Sequence, residues 1–163
     1  MGKKDKEKDM KTNVSRLLDA AKLPYEMFSF EVGDTVPSGV EAAALLGIDC
    51  KVMYKTLVTT GKTGTHYVFM IPVAEELNLK KAAEAVGEKS IEMLKSKDLL
   101  GLTGYVHGGC SPIGMKKPFR TTVDSSAEAF DTIYFSAGKI GYQVKMSPRN
   151  LEKMVPISYT SLC

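Results

Sequence analysis

The 163-residue chain (17.8 kDa) is 44% hydrophobic and 25% charged, the proportions of one soluble domain with a real core, which excludes wholesale disorder and fibrous repeats. Of its net charge of +3, residues 1–11 supply +2, five lysines against two Asp and one Glu, so the near-neutral body is no strongly basic nucleic-acid coat. No run reaches the roughly 18 apolar residues of a membrane span, no apolar region follows the charged N-terminus as in a secretory signal, and Cys50, Cys110 and Cys163 are an odd, scattered set, which points to a reducing compartment, the cytoplasm.

Residues 1–11 read as a disordered charged leader. Val14, Leu17, Leu18 and Ala21 then mark one face of a helix, with Thr12 or Asn13 as its cap and Pro24 beyond its end. Tyr25 to Glu31 reads as a strand, and Ser38 stands three residues before Glu41, the spacing of a capping box, opening a helix that stops at Gly47. Tyr54 to Thr60 and Thr65 to Val73 predict a hairpin turned by GKTG. Asn78 caps a helix ended by Gly87, Lys89 to Met93 is a short strand, and Ser96 to Leu100 is one or two helical turns. Phe119 to Asp124, Thr132 to Ser136 and Tyr142 to Ser147 are further strands, and Ser147 with Pro148 starts a final helix. About seven strands irregularly interleaved with helices give an α+β class with a mixed sheet rather than a doubly wound one.

The chemistry-bearing residues are few. His107 lies three residues before Cys110, a pair that makes a nucleophile only with an orienting group and a depressed thiol pKa; the alternative is an inert buried cysteine. His66 follows a turn and reads as solvent-exposed. No metal-ligand spacing is present, and no cofactor motif; GKTGTHY lacks the phosphate-loop pattern. Lys55 lies in a β-branched strand and shares a face with Leu57 and Thr59; it is either an edge-strand guard against aggregation or a point charge at the wall of a cleft. GGCSPIG, Gly108 to Gly114, is either a tight turn or a backbone approach to a ligand whose oxyanion its amides stabilise. From Lys116 to Lys153 seven Lys/Arg oppose four acids, either a solvated surface or a phosphate patch beside a cleft.

Taken in order, LLDAAKLPYEMFSFE, EAAALLGID before VMYKTLV, ELNLKKAAEAVGEKSIEM, TGYVHGGCSPIGMKKPFRTTVD and FDTIYFSAGKIGYQV resemble the YbaK/EbsC family, free-standing relatives of the editing domain inserted in bacterial prolyl-tRNA synthetases. The resemblance covers residues 12–155, leaving 156–163 as a C-terminal tail. It implies a single domain with a mixed, partly barrel-like sheet surrounded by helices, acting on aminoacyl-tRNA at the 3′ end of prolyl tRNA, with prolyl-tRNA synthetase as a partner and no membrane. The family's lysine matches Lys55 with Thr56 beside it. Its glycine loop matches Gly108 to Gly114, including Ser111 and Pro112, with Gly109 as the close-approach position. Its pocket aromatic matches Phe30, its pocket edge Ser38 and Gly39, and its small polar strand residue Ser136. Cys110 stands where similar members carry an aliphatic residue, and Gln143 where some carry an acid; both departures bear on amino-acid selectivity.

The GGCSPIGMKK and LNLKKAA segments look closer to YbaK proteins, which clear cysteine, than to ProX proteins, which clear alanine. The implied pocket lacks a protein nucleophile. The substrate thiol attacks its own ester, Lys55 holds the terminal adenosine, and the Gly108 and Gly109 amides face the ester oxygen. Two rivals stand beside this: a ProX-like hydrolase using water on alanyl-tRNA, and a non-catalytic aminoacyl- or nucleotide-binding module.

Overall fold

The structure, a computed structural model, describes residues 11–163; the leader expected at 1–10 lies outside them. At its edge the Lys11 ammonium pairs with Asp19.

Helix α1 (Asn13–Ala21) begins at Thr12, whose hydroxyl accepts the Ser15 N–H while Ser15 returns a bond to the Thr12 N–H. Strand β1 (Glu26–Ser29) follows. Helix α2 (Gly39–Leu46) carries the expected capping box between Ser38 and Glu41 and ends at Gly47 in the left-handed conformation. Strands β2 (Tyr54–Gly61) and β3 (His66–Pro72) form the predicted hairpin, with Tyr54 opposite Pro72 and Thr60 opposite His66. Asn78 caps α3 (Leu79–Val86), and β4 (Ile91–Met93) is shorter than its sequence signal. The turns expected at 96–100 extend into α4 (Ser96–Thr103). Strands β5 (Arg120–Asp124), β6 (Ile133–Ser136) and β7 (Tyr142–Met146) and helix α5 (Pro148–Met154) complete the expected elements, and a 3₁₀ turn at Ser125–Ala129, not expected from the sequence, links β5 to β6. An eighth strand, β8 (Ile157–Thr160), falls where the sequence suggested only a tail.

The α+β class holds, but the strands divide into two sheets, β1-β7-β6 and β4-β2-β3-β5-β8. The smaller is wholly antiparallel. The larger is mixed, because β5 runs parallel to both β3 and β8. The sheets meet where the Tyr134 N–H donates to the Val52 carbonyl at 2.8 Å and Met53 bridges Tyr134. One bridge is too short a ladder to close a cylinder, and no closed barrel forms among the described residues.

The main core fills the space between the sheets. Ile133, Phe135, Val144 and Met146 face Val58, Val68, Met70 and Val123, with Val14 and Leu18 of α1 and Leu151 of α5 packed in. A second cluster lies on the opposite face of the larger sheet, where Ala82, Ala83 and Val86 of α3 cover Tyr67, Phe69 and Ile71. The alternation of β3 between these two clusters explains why it is apolar on both faces. A third, smaller cluster joins Ala42 and Ala43 of α2 to Met53 and Val73. It holds α2 against the start of β2, beside the junction of the sheets. No helix among the described residues is long and apolar enough to cross a membrane.

Candidate active site

Strand β4 pairs only with Thr59–Gly61. The first half of β2 therefore has one backbone edge without a strand partner, although β2 is central in its sheet. A cleft of about 630 Å³ opens along that edge, a size suited to a small organic ligand. Tyr54 to Val58 form one wall, Phe30 and the entry of α2 a second, His107, Gly108 and Cys110 a third, and Ser136 and Gln143 of the smaller sheet a fourth. The cleft thus reconciles the two readings of Lys55, which sits on a locally open edge and at a cleft wall.

Among the described residues the Lys55 ammonium has no hydrogen-bond or ion-pair partner. The one carboxylate on the cleft wall, Glu41, accepts the Ser38 N–H at 3.0 Å, and bonds from the Ser38 backbone and side chain hold its pKa below the ordinary value. Thr56 Oγ1 and Gln143 Oε1 are buried without a partner, and both residues line the cleft. An unpaired buried polar atom costs about 1–3 kcal/mol, so these two oxygens are places where a ligand donor gains most.

Of the residues expected in the site, Phe30, Ser38, Gly39, Lys55, Thr56, Gly108 and Ser136 line one cleft. Several of them also hold it open. The Ser38 hydroxyl accepts the Glu41 N–H at 3.2 Å, and the Ser136 hydroxyl accepts the Gly138 N–H at 3.2 Å. A Cβ on Gly39 would lie 2.7 Å from the Val73 side chain, so the missing side chain lets α2 approach the chain just after β3.

The glycine loop differs from expectation. The Gly109 N–H donates to the Val106 carbonyl at 3.0 Å and is not free to face an ester. Gly108, at φ 86°, is the third residue of that turn, a place that favours glycine in type II geometry. Gly109 is a close-approach residue toward its own chain: a Cβ there would sit 2.9 Å from the Ile140 nitrogen. Ser111 and Pro112 do not line the cleft. Ser111 is fully buried and its hydroxyl accepts the Ile113 N–H at 3.4 Å, which braces the loop from behind. Of the Gly108–Gly109 pair, only the Gly108 N–H has no protein partner among the described residues.

Cys110 is buried at the cleft wall, and burial pushes its thiol up to about 12. That is the inert form, the reverse of an activated nucleophile. No hydrogen bond joins it to His107 among the described residues. His66 is half-buried rather than exposed, its Nδ1 3.1 Å from the Thr60 hydroxyl and its ring edge-on to Phe119. Two members of the basic segment are engaged within the fold. Arg120 donates to the Ala85 and Val86 carbonyls at the end of α3, and Arg149 to the Phe130 and Asp131 carbonyls. In the sequence Gln143 stands out only as a departure from the family pattern, because its unpaired oxygen depends on tertiary packing and has no local signal.

These features define a single-domain α+β protein with a ligand cleft at the junction of two sheets, whose described lining holds an unpartnered lysine, two orphaned oxygens and a cysteine thiol pushed up by burial. Residues 34–154 match the model of the aminoacyl-tRNA editing domain family, and the chain belongs to that family. It is 43% identical over 143 residues to EbsC of Enterococcus faecalis, a candidate Cys-tRNA(Pro)/Cys-tRNA(Cys) deacylase, spanning 88% of this chain and 87% of that one. A 77-residue segment, 47% of this chain, is 31% identical to part of the proline–tRNA ligase of Pelobacter propionicus, covering 13% of the ligase. A solved structure of a candidate trans-editing enzyme for prolyl tRNA synthetase shares the fold, with a TM-score of 0.76 at 22% identity over 93% of this chain and 97% of that one.

Proposed function

We propose that this protein is a cytoplasmic trans-editing deacylase that removes cysteine from mischarged prolyl tRNA, working beside prolyl-tRNA synthetase. The observation that carries the reading is one cleft that combines an unpartnered lysine, two orphaned oxygens and a thiol too basic to attack. Membership of the editing-domain family and the likeness to EbsC support the substrate class.

In this reading the substrate brings its own nucleophile. The cysteinyl thiol, ionised, attacks its ester carbonyl carbon. A C–S bond forms, the C–O bond to the ribose breaks, and the ribose oxygen takes up a proton. The products are free tRNA and a thiolactone that water opens to cysteine. The protein contributes orientation and charge. Lys55 holds the ribose or phosphate of the terminal adenosine, the Gly108 N–H is the loop donor for the carbonyl oxygen, and Phe30 bounds the side-chain pocket. Thr56 Oγ1 and Gln143 Oε1 accept from the substrate's amino group. The need for such an activity follows from size. A synthetase pocket separates side chains differing by a methylene by only about 1–3 kcal/mol, so a second sieve is required.

Single-turnover deacylation of prolyl tRNA charged with Cys, Ala or Ser, by wild type and Lys55→Ala, tests the reading. Rapid loss of Cys alone, abolished in Lys55→Ala with the fold intact, is the expected result. Loss of Ala at a similar rate supports a water-using hydrolase instead, and saturable binding with no turnover of any ester leaves a binding module.

A further inference from the structure

Beyond the cleft, the smaller sheet carries a second feature. Its strands put Phe28, Gln143 and Ser136 in one cross-strand row and Glu26, Lys145 and Tyr134 in the next. Residues two apart on a strand share a face. The opposite face holds Val144, Phe135 and Met146 in the main core. Gln143 and Ser136 line the cleft. The row Lys145–Tyr134 therefore continues the cleft wall outward, about 7 Å further along the strands.

On that continuation the Phe28 and Tyr134 rings lie 5.4 Å apart, tilted at 55°. The Lys145 ammonium stands 5.6 Å from the Tyr134 ring centroid. All three side chains are half-buried, which fixes their positions while leaving part of each open. Lys145 has no carboxylate within ion-pair distance among the described residues, although Glu26 is its cross-strand neighbour. A sheet surface that bears two aromatic rings and a cation is the arrangement by which proteins hold single-stranded RNA: bases stack on the rings and the cation meets a phosphate.

We infer that the Phe28–Tyr134–Lys145 face is a docking platform for single-stranded RNA, receiving the nucleotides that precede the terminal adenosine of a tRNA 3′ end. Its direction rests on the proposed function, which places that adenosine in the cleft; the platform itself stands on the sheet geometry. Two properties fit this occupant over a protein partner. The strip is contiguous with the cleft, so a chain anchored there by its end crosses it. Its mixture of ring faces and one unpaired cation matches a polyanion with exposed bases. The near-neutral body supplies little long-range attraction, so local stacking is what holds the strand.

Fluorescence anisotropy with a labelled RNA tetranucleotide ending in CCA, against AMP as a probe of the cleft alone, tests the inference. Phe28→Ala, on an edge strand, and Lys145→Ala should each weaken tetranucleotide binding at least 5-fold and leave AMP binding unchanged. Lys145→Ala should also flatten the salt dependence, and Tyr134→Phe should bind like wild type because the ring remains. Thermal melts check that each variant is folded. Equal weakening of both probes, or no change for the tetranucleotide, overturns the platform. Deacylation by wild type separates the two claims: a wild type that binds the tetranucleotide through Phe28 and Lys145 yet deacylates nothing keeps the platform and removes the editing reading.

Discussion

The Tyr105 hydroxyl donates to the Ile113 carbonyl at 2.6 Å and accepts from Asn13 Nδ2 at 3.1 Å. One buried phenol therefore ties the far end of the glycine loop to the first turn of α1. Gly114 lets this contact form, since a Cβ there would lie 2.7 Å from the same hydroxyl. Tyr105→Phe leaves the ring packed but strands the Ile113 carbonyl. The expected cost is about 1–2 kcal/mol in chemical denaturation. Because the loop carries Gly108 into the cleft, kcat should fall several-fold with little change in KM. An unchanged kcat with the expected loss of stability would show that the loop is positioned without this clamp.

The Cys110 thiol, pushed up to about 12 by burial, does not ionise between pH 6 and 9, whereas a substrate cysteine with a thiol near the ordinary ~8.5 does. Single-turnover rates on the cysteinyl ester should therefore climb about tenfold per pH unit below ~8 and flatten near ~9. Cys110→Ser should reproduce that profile and most of the rate, since a hydroxyl can keep the contact with Thr103. A folded Cys110→Ser protein without activity would restore the Cys–His nucleophile.

Gly108 and Gly109 separate two kinds of glycine. An alanine at 108 must adopt φ 86° and press on Val36 Cγ1 at 2.7 Å, but Val36 is 45% exposed and can swing away. The strain of a left-handed alanine, about 1–2 kcal/mol, remains. An alanine at 109 meets the Ile140 nitrogen and the Lys139 carbonyl carbon, backbone that cannot step aside without moving the 139–141 turn. Gly109→Ala should lower Tm by more than Gly108→Ala, and Gly108→Ala should lose more activity per unit of lost stability. The reverse order in a paired melt and kinetic series would mean that Gly109, not Gly108, faces the ester.

What the sequence made legible was local. The β2–β3 hairpin and the Ser38–Glu41 box depend on neighbours a few residues apart, and both stand where the pattern put them. Lys55 was conspicuous because a cation interrupts a β-branched strand. The division into two sheets was not legible, since patterning marks strands but not their partners: β5 pairs with β3 some 50 residues earlier and with β8 some 36 later. The orphaned oxygens of Thr56 and Gln143 are contacts that are missing, and no spacing announces them. Likewise GGCSPIG cannot say whether a glycine amide serves a turn or a ligand; the Gly109 bond to Val106 decided it.

The segment after α5 holds the last prediction. Leu162 is fully buried against α3, its N–H donates to Asp124 Oδ1 at 2.8 Å, and its carbonyl accepts the Asn78 N–H at 2.7 Å. Lys81 adds a bond to the Cys163 carbonyl at 2.6 Å. Burial by itself would raise the Asp124 pKa, but hydrogen bonds from Ser126 and the Leu162 N–H outweigh it and hold the carboxyl below its ordinary 3.8. A carboxylate depressed in the folded state stabilises it fully above the unfolded value and loses that contribution as pH falls through the folded one. The anchoring of Leu162 should therefore be constant from neutral pH down to about 4 and weaken below it. Asp124→Ala should cost about 1–3 kcal/mol at pH 7, since it leaves the buried Leu162 N–H unpaired while the exposed Ser126 N–H can turn to water, and should remove the acid-side loss. Digestion by carboxypeptidase should then release residues up to β8 from the variant while wild type resists. Equal resistance of the two proteins at pH 7 would mean that Leu162 packing and the Asn78 bond hold the segment without Asp124.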